Sequence, residues 1–136
     1  MTAKPFGVNI MLMAPNIAEI IDVVCEEKVA FVTLGAGNPV PHIEKFHAAE
    51  IKVIPVVPSV KLAKRVEEAG VDAMVIEGME GGGHIGQQTT MALMTNVLPL
   101  IKKVPVLVAG GISDGRGIAA ALMMGLTVYR WDHVLF

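Results

Sequence analysis

Cysteine is nearly absent from this 136-residue chain, and the single copy, Cys25, has no partner for an internal disulfide. A disulfide-stapled secreted scaffold is therefore excluded, and a reducing, cytoplasmic setting is the expectation. Aromatic residues make up only 4% of the chain, so Val, Ile, Ala and Met must fill the core. Charged residues are also sparse at 18%, with a net charge of −2, which gives no reason to expect nucleic acid or an anionic membrane as partner. No unbroken apolar run approaches the roughly 20 residues of a membrane-spanning helix. The stretch from Met1 to Phe6 has no signal-peptide core. No His, Cys, Asp or Glu cluster has metal-ligand spacing, so no metal is expected. There is no G-x-S-x-G elbow and no P-loop.

What the chain does have is apolar residues, 53% of the total, arranged in a repeating order. Apolar strand-like runs at Phe6 to Leu12, Ala30 to Leu34, Lys52 to Val57, Asp72 to Glu77 and Pro105 to Ala109 alternate with helical patterns. The helices fall near residues 17–25, 41–49, 60–69, 89–101 and 116–124. Asn16 and Asp114 stand where N-caps are expected. Continuously apolar strands joined by helices imply an α/β fold whose parallel sheet is covered on both faces. Two architectures fit, a doubly wound sheet or part of a (β/α)₈ barrel. A closed barrel typically takes about 250 residues, so five βα units make an open sheet or a partial barrel.

In both architectures ligands sit at the C-terminal ends of the strands. The unusual residues fall there: Asn9, Gly35-Ala36-Gly37, Pro58-Ser59, the run from Glu77 to Gly86, and Gly110-Gly111. The run Glu77-Gly-Met-Glu-Gly-Gly-Gly-His84-Ile-Gly86 offers almost no side chains for packing and allows close backbone approach to a ligand. His84 inside it is suited to acid–base work near neutral pH. The G-x-G-x-x-G-like spacing there belongs to a longer glycine run and reads as a reaction loop. Gly110-Gly111, between a strand and a helix, reads either as an anion cradle or as a tight turn. Glu77 reads as a hydroxyl-binding carboxylate or a solvated charge. Asn9, an amide in an apolar strand, needs polar partners. Glu80 reads as a solubilising charge, His42 and His47 as structural or exposed, and the methionines as core filler.

Four segments, Lys4-Pro-Phe-Gly-Val-Asn9, Ile54-Pro-Val-Val-Pro-Ser59, the run from Glu77 to Gly86, and Val108-Ala-Gly-Gly-Ile-Ser-Asp-Gly115, resemble in order the FMN-dependent enoyl-acyl-carrier-protein reductase II family. That family is grouped with the nitronate monooxygenases. The resemblance spans residues 4 to 125 and implies a TIM-barrel flavoprotein. It implies FMN as cofactor, NADH or NADPH as hydride source, and an enoyl thioester on acyl carrier protein as substrate. By position it assigns His84 beside the flavin as proton donor or orienter. It places Asn9, Ser59, Glu77 and Gly82 at flavin contacts, and Gly110 and Gly111 at the flavin phosphate. The Glu77 to Gly86 form favours the reductase branch over nitronate monooxygenase.

Two departures accompany the resemblance. The family has further strands before Lys4, and residues 126–136 do not match its next strand, Ala-Asp-Gly-Val-Gln-Met. One coding of Leu126-Thr-Val-Tyr-Arg-Trp131, read one base out of frame after a G, gives that strand. The expectation is thus a partial domain over residues 1–125 followed by a frameshifted tail, with weak or no FMN binding by the chain alone. The competing reading is a non-catalytic half-barrel that self-associates into a homo-oligomer or binds a complementary fragment.

Overall fold

The computed structural model of the chain describes residues 4–126, so of the tail only Leu126 is described, and His133 lies outside the described residues. Five strands alternate with five α-helices: β1 (Gly7–Met11), α1 (Ile17–Glu26), β2 (Phe31–Gly35), α2 (Ile43–Ala48), β3 (Lys52–Val57), α3 (Val60–Glu68), β4 (Met74–Glu77), α4 (Thr90–Val97), β5 (Val106–Ala109) and α5 (Gly115–Met123). A single 3₁₀ turn, Val40–His42, leads into α2. All adjacent strands pair in parallel, in the spatial order β1-β2-β3-β4-β5.

That order decides between the two architectures. Right-handed crossovers that always step in the same direction put every helix on the same side of the sheet. A doubly wound sheet would reverse direction partway. The burial pattern agrees: Ile10, Val32, Leu34, Val53, Val57, Met74, Ile76, Val106 and Val108 point to one face and are buried, together with Ile21, Phe46, Val66, Leu93 and Val97 from the helices. The register aligns Ile10 with Leu34, Val32 with Val53, Val57 with Ile76, and Ile76 with Val108. The sheet is not closed, as in a partial (β/α)₈ barrel.

The expectation of a sheet covered on both faces is corrected. The face opposite the helices carries Gly7, Asn9, Phe31, Thr33, Ile54, Val75 and Leu107, which line a shallow cavity of about 430 Å³. Phe31 lies over Gly7, where a Cβ would come 2.2 Å from its ring, and stays 37% exposed. This is the face that a barrel turns inward.

The helices end in a repeated way. Glu50, Gly70 and Gly125 adopt positive φ of 62°, 82° and 91° just past α2, α3 and α5. In each case the next residue sends its N–H back five positions: Ile51 to Phe46, Val71 to Val66 and Leu126 to Ala121, at 3.0, 3.3 and 3.3 Å. Those three residues are buried, as expected where a Schellman motif plants an apolar residue on the helix end. At the N-termini, Asp114 caps α5 as expected, with Oδ1 accepting from the Arg116 and Gly117 N–H groups at 3.0 and 3.1 Å. Asn16 occupies the N-cap position of α1, but its side chain makes no capping bond. The helix expected over 89–101 stops at Val97, because Pro99 has no N–H for the next turn and the chain tightens through Leu100 N–H to the Val97 carbonyl at 2.9 Å.

At the end of the sheet remote from the glycine loops, Asp72 ties three elements together. Its Oδ2 accepts from Val53 N–H at 2.8 Å and lies 3.0 Å from His47 Nε2, and its Oδ1 lies 3.6 Å from Lys52 Nζ. Burial raises the Asp72 carboxyl, but the hydrogen bonds from Val53 and His47 and the charges of His47 and Lys52 outweigh it and hold it below its ordinary value. His47 is thus structural, as its helical context indicated. No described helix is long and apolar enough to cross a membrane.

Candidate functional site

The C-terminal ends of β1 to β4 open onto one cavity of about 360 Å³, within the size range of small-molecule sites. Asn9 and Met11 enter it from β1, Gly35 from the end of β2 with Ala36 and Gly37 after it, and Val56 and Pro58 from the end of β3. Glu77 lines it from the end of β4, and Gly82, Gly83 and His84 from the loop that follows. Four residues separated by up to 75 positions, Asn9, Glu77, Gly82 and His84, therefore meet around one space.

Asn9 is paired across the sheet with Thr33, whose hydroxyl donates to Asn9 Oδ1 at 2.7 Å. The bond occupies the acceptor end of the amide, so Asn9 chiefly offers N–H donors to a ligand. Thr33 was not singled out from the sequence, although a threonine in register with a lone amide is the expected polar partner. Ser59 is placed differently from the others. Its hydroxyl accepts from Leu62 N–H at 3.3 Å as the N-cap of α3, and the cavity touches Pro58 and Leu62 on either side of it.

The glycines fall into two kinds. At Gly82 and Gly35 a Cβ would meet nothing within 4 Å, and neither has a positive φ in the left-handed range. Neither packing nor backbone geometry demands glycine there, and both line the cavity. Gly110 and Gly111 are different. Both have positive φ, 91° and 71°, and a Cβ on Gly110 would lie 2.9 Å from Gly81 N and 3.1 Å from Thr90 Oγ1. The Gly110-Gly111 turn is thus pressed against the base of the loop that carries His84.

Glu80, expected only to solubilise that loop, instead closes it. Its Oε2 accepts from Thr90 N–H at 2.8 Å and lies 2.9 Å from Thr90 Oγ1. Burial raises the Glu80 carboxyl, but the N–H groups of Thr90 and of Glu80 itself, with the Thr90 hydroxyl, hold it below its ordinary value. Met79 N–H donates to the Gln88 carbonyl at 2.8 Å and Gly78 N–H to the Ala109 carbonyl at 3.2 Å. Residues 78–90 therefore form a loop stapled at its neck, with His84 exposed near its tip.

The chemistry of the lining is mixed. The cavity supplies room beside Gly82 and Gly83, a donor amide at Asn9 and a carboxylate at Glu77. Gly110 and Gly111 do not line this cavity; they form a backbone turn, of the kind that seats anions, against the base of the loop that does. The N-terminus of α5 is not part of that seat, because Asp114 already takes its first N–H groups and pairs with Arg116 at 2.6 Å. Among the described residues no group of three or more His, Cys, Asp or Glu side chains gathers into a metal site.

Known proteins resemble this chain in sequence and fold. Residues 16–128 match the family model "Nitronate monooxygenase". The chain is 42% identical over 125 residues to the (3aS,4S,5R,7aS)-5-hydroxy-7a-methyl-1-oxo-octahydro-1H-indene-4-carboxyl-CoA dehydrogenase of Rhodococcus jostii, covering 92% of this chain and 35% of that protein. It is 41% identical over 110 residues to a nitronate monooxygenase of Paraburkholderia phytofirmans, covering 74% of this chain and 30% of that one. FabK from Thermotoga maritima superposes with a TM-score of 0.87 at 51% identity, over 94% of this chain and 41% of FabK. The chain spans about a third of the length of the curated relatives it matches.

Proposed function

Since the chain belongs to the nitronate monooxygenase family, we propose that its glycine-rich rim is the flavin-holding part of an FMN-dependent reductase of enoyl thioesters, with acyl carrier protein as the thioester carrier and NADH or NADPH as hydride source. The observation that carries this reading is the meeting of Asn9, Glu77, Gly82 and His84 around one cavity at the strand ends. The 51% identity to FabK, an enoyl-ACP reductase II, supports the reductase branch. The carboxyl-CoA dehydrogenase among the relatives also has a thioester-forming group in its name.

FMN, when bound, supplies hydride for the β-carbon of the enoyl thioester. The chain's own residues do the rest. Asn9 N–H groups and the Glu77 carboxylate hold the polar edge and hydroxyls of the ligand. Gly82 lets the ligand lie against the backbone where any side chain would intrude. Gly110 and Gly111 receive the phosphate. His84 is a catalytic residue, delivering a proton to the carbon next to the thioester carbonyl as hydride reaches the β-carbon, so that the double bond is lost and one hydrogen is added to each end. Ser59 serves this site indirectly, by fixing the start of α3 behind Pro58 and Leu62.

A second reading, nitronate monooxygenase, is favoured by the family model and by the Paraburkholderia phytofirmans relative. A chain completed to the length of its relatives and supplied with FMN separates the two: crotonyl-thioester-dependent oxidation of NADH or NADPH supports the reductase, and nitronate-dependent oxygen uptake without it supports the monooxygenase. His84→Gln should lower either turnover by about 100-fold or more, the usual scale of a lost general acid or base. The open sheet face around Phe31 favours a third reading, self-association into a homo-oligomer without turnover. An oligomer that binds no flavin would replace both catalytic readings. The composition and the described helices suit a cytoplasmic protein.

A further inference from the structure

Among the described residues Thr90 is the one buried polar side chain, only 5% exposed at the start of α4. Its position is unusual for a helix start, because the capping role belongs to Thr89, whose hydroxyl accepts from Ala92 N–H at 3.4 Å. The Thr90 hydroxyl is turned instead toward the glycine turn after β5. It lies 2.9 Å from the Gly110 carbonyl oxygen and 3.5 Å from that of Ala109. Glu80 fixes the residue from the other side: its Oε2 accepts from the Thr90 N–H at 2.8 Å and, at 2.9 Å, shares the hydroxyl's single proton with the Gly110 carbonyl.

A peptide unit is planar and trans, so its C=O and N–H point in opposite directions. A donor that holds the Gly110 carbonyl on the buried side therefore aims the Gly111 N–H the other way, to the side on which Gly111 is exposed. Both glycines have positive φ, so sterics restrict this peptide less than one between L side chains, and the hydroxyl adds a directional bond to it. Gly78 is also involved: a Cβ there would come 2.1 Å from Thr90 Oγ1, so the absence of a side chain at Gly78 is what lets Thr90 reach the turn.

Resting on the FMN reading above, the geometry points to Thr90, anchored by Glu80, as a positioning residue that sets the orientation of the Gly110-Gly111 peptide and so aims its N–H at the flavin phosphate. Thr90 itself touches no ligand. The same anchor couples the two loops, since the neck of the His84 loop and the phosphate turn share Thr90 as their common support.

The test compares FMN with riboflavin, which carries the same ring and ribityl chain without phosphate, binding to the full 136-residue chain. Affinity is followed through amide shifts of the ¹⁵N-labelled protein, which report weak binding without any turnover. Thr90→Val should weaken FMN about fivefold to tenfold, the scale of one hydrogen bond, while riboflavin changes by less than about twofold. The Gly111 amide shift induced by FMN should vanish in that variant, and Thr90→Ser should restore both. Thr90→Ala, which removes the hydroxyl without placing a methyl against the Gly110 oxygen, is the second variant and should behave like Thr90→Val. If Thr90→Val and Thr90→Ala keep the wild-type preference for FMN, or if Thr90→Ser fails as they do, the positioning role is wrong and the flavin reading stands. If the wild-type chain shows no FMN-dependent shift at Gly111, the flavin reading falls and the positioning role with it.

Discussion

Replacing Gly110 by alanine should be among the most damaging single-methyl changes at the rim. Two costs add. The φ of 91° is one that L side chains rarely adopt, and holding a residue there costs about 1–3 kcal/mol. The new methyl would also sit 2.9 Å from Gly81 N and 3.3 Å from the Gly78 carbonyl oxygen. Both neighbours are backbone and cannot rotate away, so overpacking adds about 1–3 kcal/mol. Gly83→Ala separates the terms, because Gly83 has a φ of 76° but nothing within 4 Å of its missing Cβ. It should pay the backbone cost alone. The loss of unfolded-chain freedom that any Gly→Ala change brings is common to both variants and cancels in the comparison. Gly111→Ala, with φ of 71° and its nearest contact 3.4 Å away on the Glu80 side chain, should fall between them or close to Gly83→Ala. With a urea m-value of about 1–3 kcal/mol/M, the Gly110 midpoint should lie about 0.5–1.5 M below that of Gly83→Ala. Urea unfolding followed by circular dichroism reads this directly. Equal midpoints for the two variants would refute the claim that the turn after β5 is wedged against the loop that carries His84.

Other consequences follow from the same contacts. Asp72 is held below its ordinary value in the folded chain. It therefore contributes stability at pH above its unfolded value of about 4, and that contribution is lost as pH falls through the lower folded value. Asp72→Asn keeps an acceptor for Val53 N–H but should flatten this acid-side loss in urea midpoints measured between pH 3 and 6, roughly the range that brackets an unfolded carboxylate; an unchanged acid profile would contradict the role given to Asp72. Glu50 holds a positive φ of 62° at the end of α2 with an exposed side chain, so Glu50→Gly should raise stability by about 0.5–1 kcal/mol, whereas a loss would mean that its side chain matters more than its backbone. Glu67 Oε1 accepts from the N–H groups of both Lys102 and Lys103, at 2.8 and 2.7 Å. Glu67→Ala should cost about 1–2 kcal/mol and speed amide exchange at those two residues, and unchanged exchange would show that the bonds do not hold the segment after α4.

The order of elements was legible because the strands are continuously apolar and the helices amphipathic, and five βα units follow from that alternation alone. The covering of the sheet was not legible. Residues such as Ile54, Val75 and Leu107 are as apolar as those beneath the helices, so composition does not tell a face packed by helices from one that a barrel turns inward. Strand order decides that, and strand order is a long-range property. At the site, His84, Glu77 and Asn9 stood out because each breaks a local pattern, a histidine and a charge among glycines or an amide among apolar residues, whereas Gly82 came from the family resemblance alone. Glu80 and Thr90 break no pattern. A glutamate in a loop and a threonine at a helix start are both ordinary, and only the fold brings them together against Gly110. Ser59 shows the opposite case. Its residue type suits a ligand contact, yet its hydroxyl is engaged in starting α3.

The most direct test of the central claim is a titration of the ¹⁵N-labelled chain with FMN, mapped residue by residue. The rim reading predicts saturable shifts concentrated at Asn9, Glu77 to His84 and Gly110-Gly111, with the Asp72 end of the sheet unaffected. Shifts centred on His47, Lys52 and Asp72 would contradict it, as would no saturable shift at millimolar FMN, about the weakest affinity a real site would show, because a rim that retains Asn9, Glu77, Gly82 and Gly110-Gly111 predicts weak binding and not its absence.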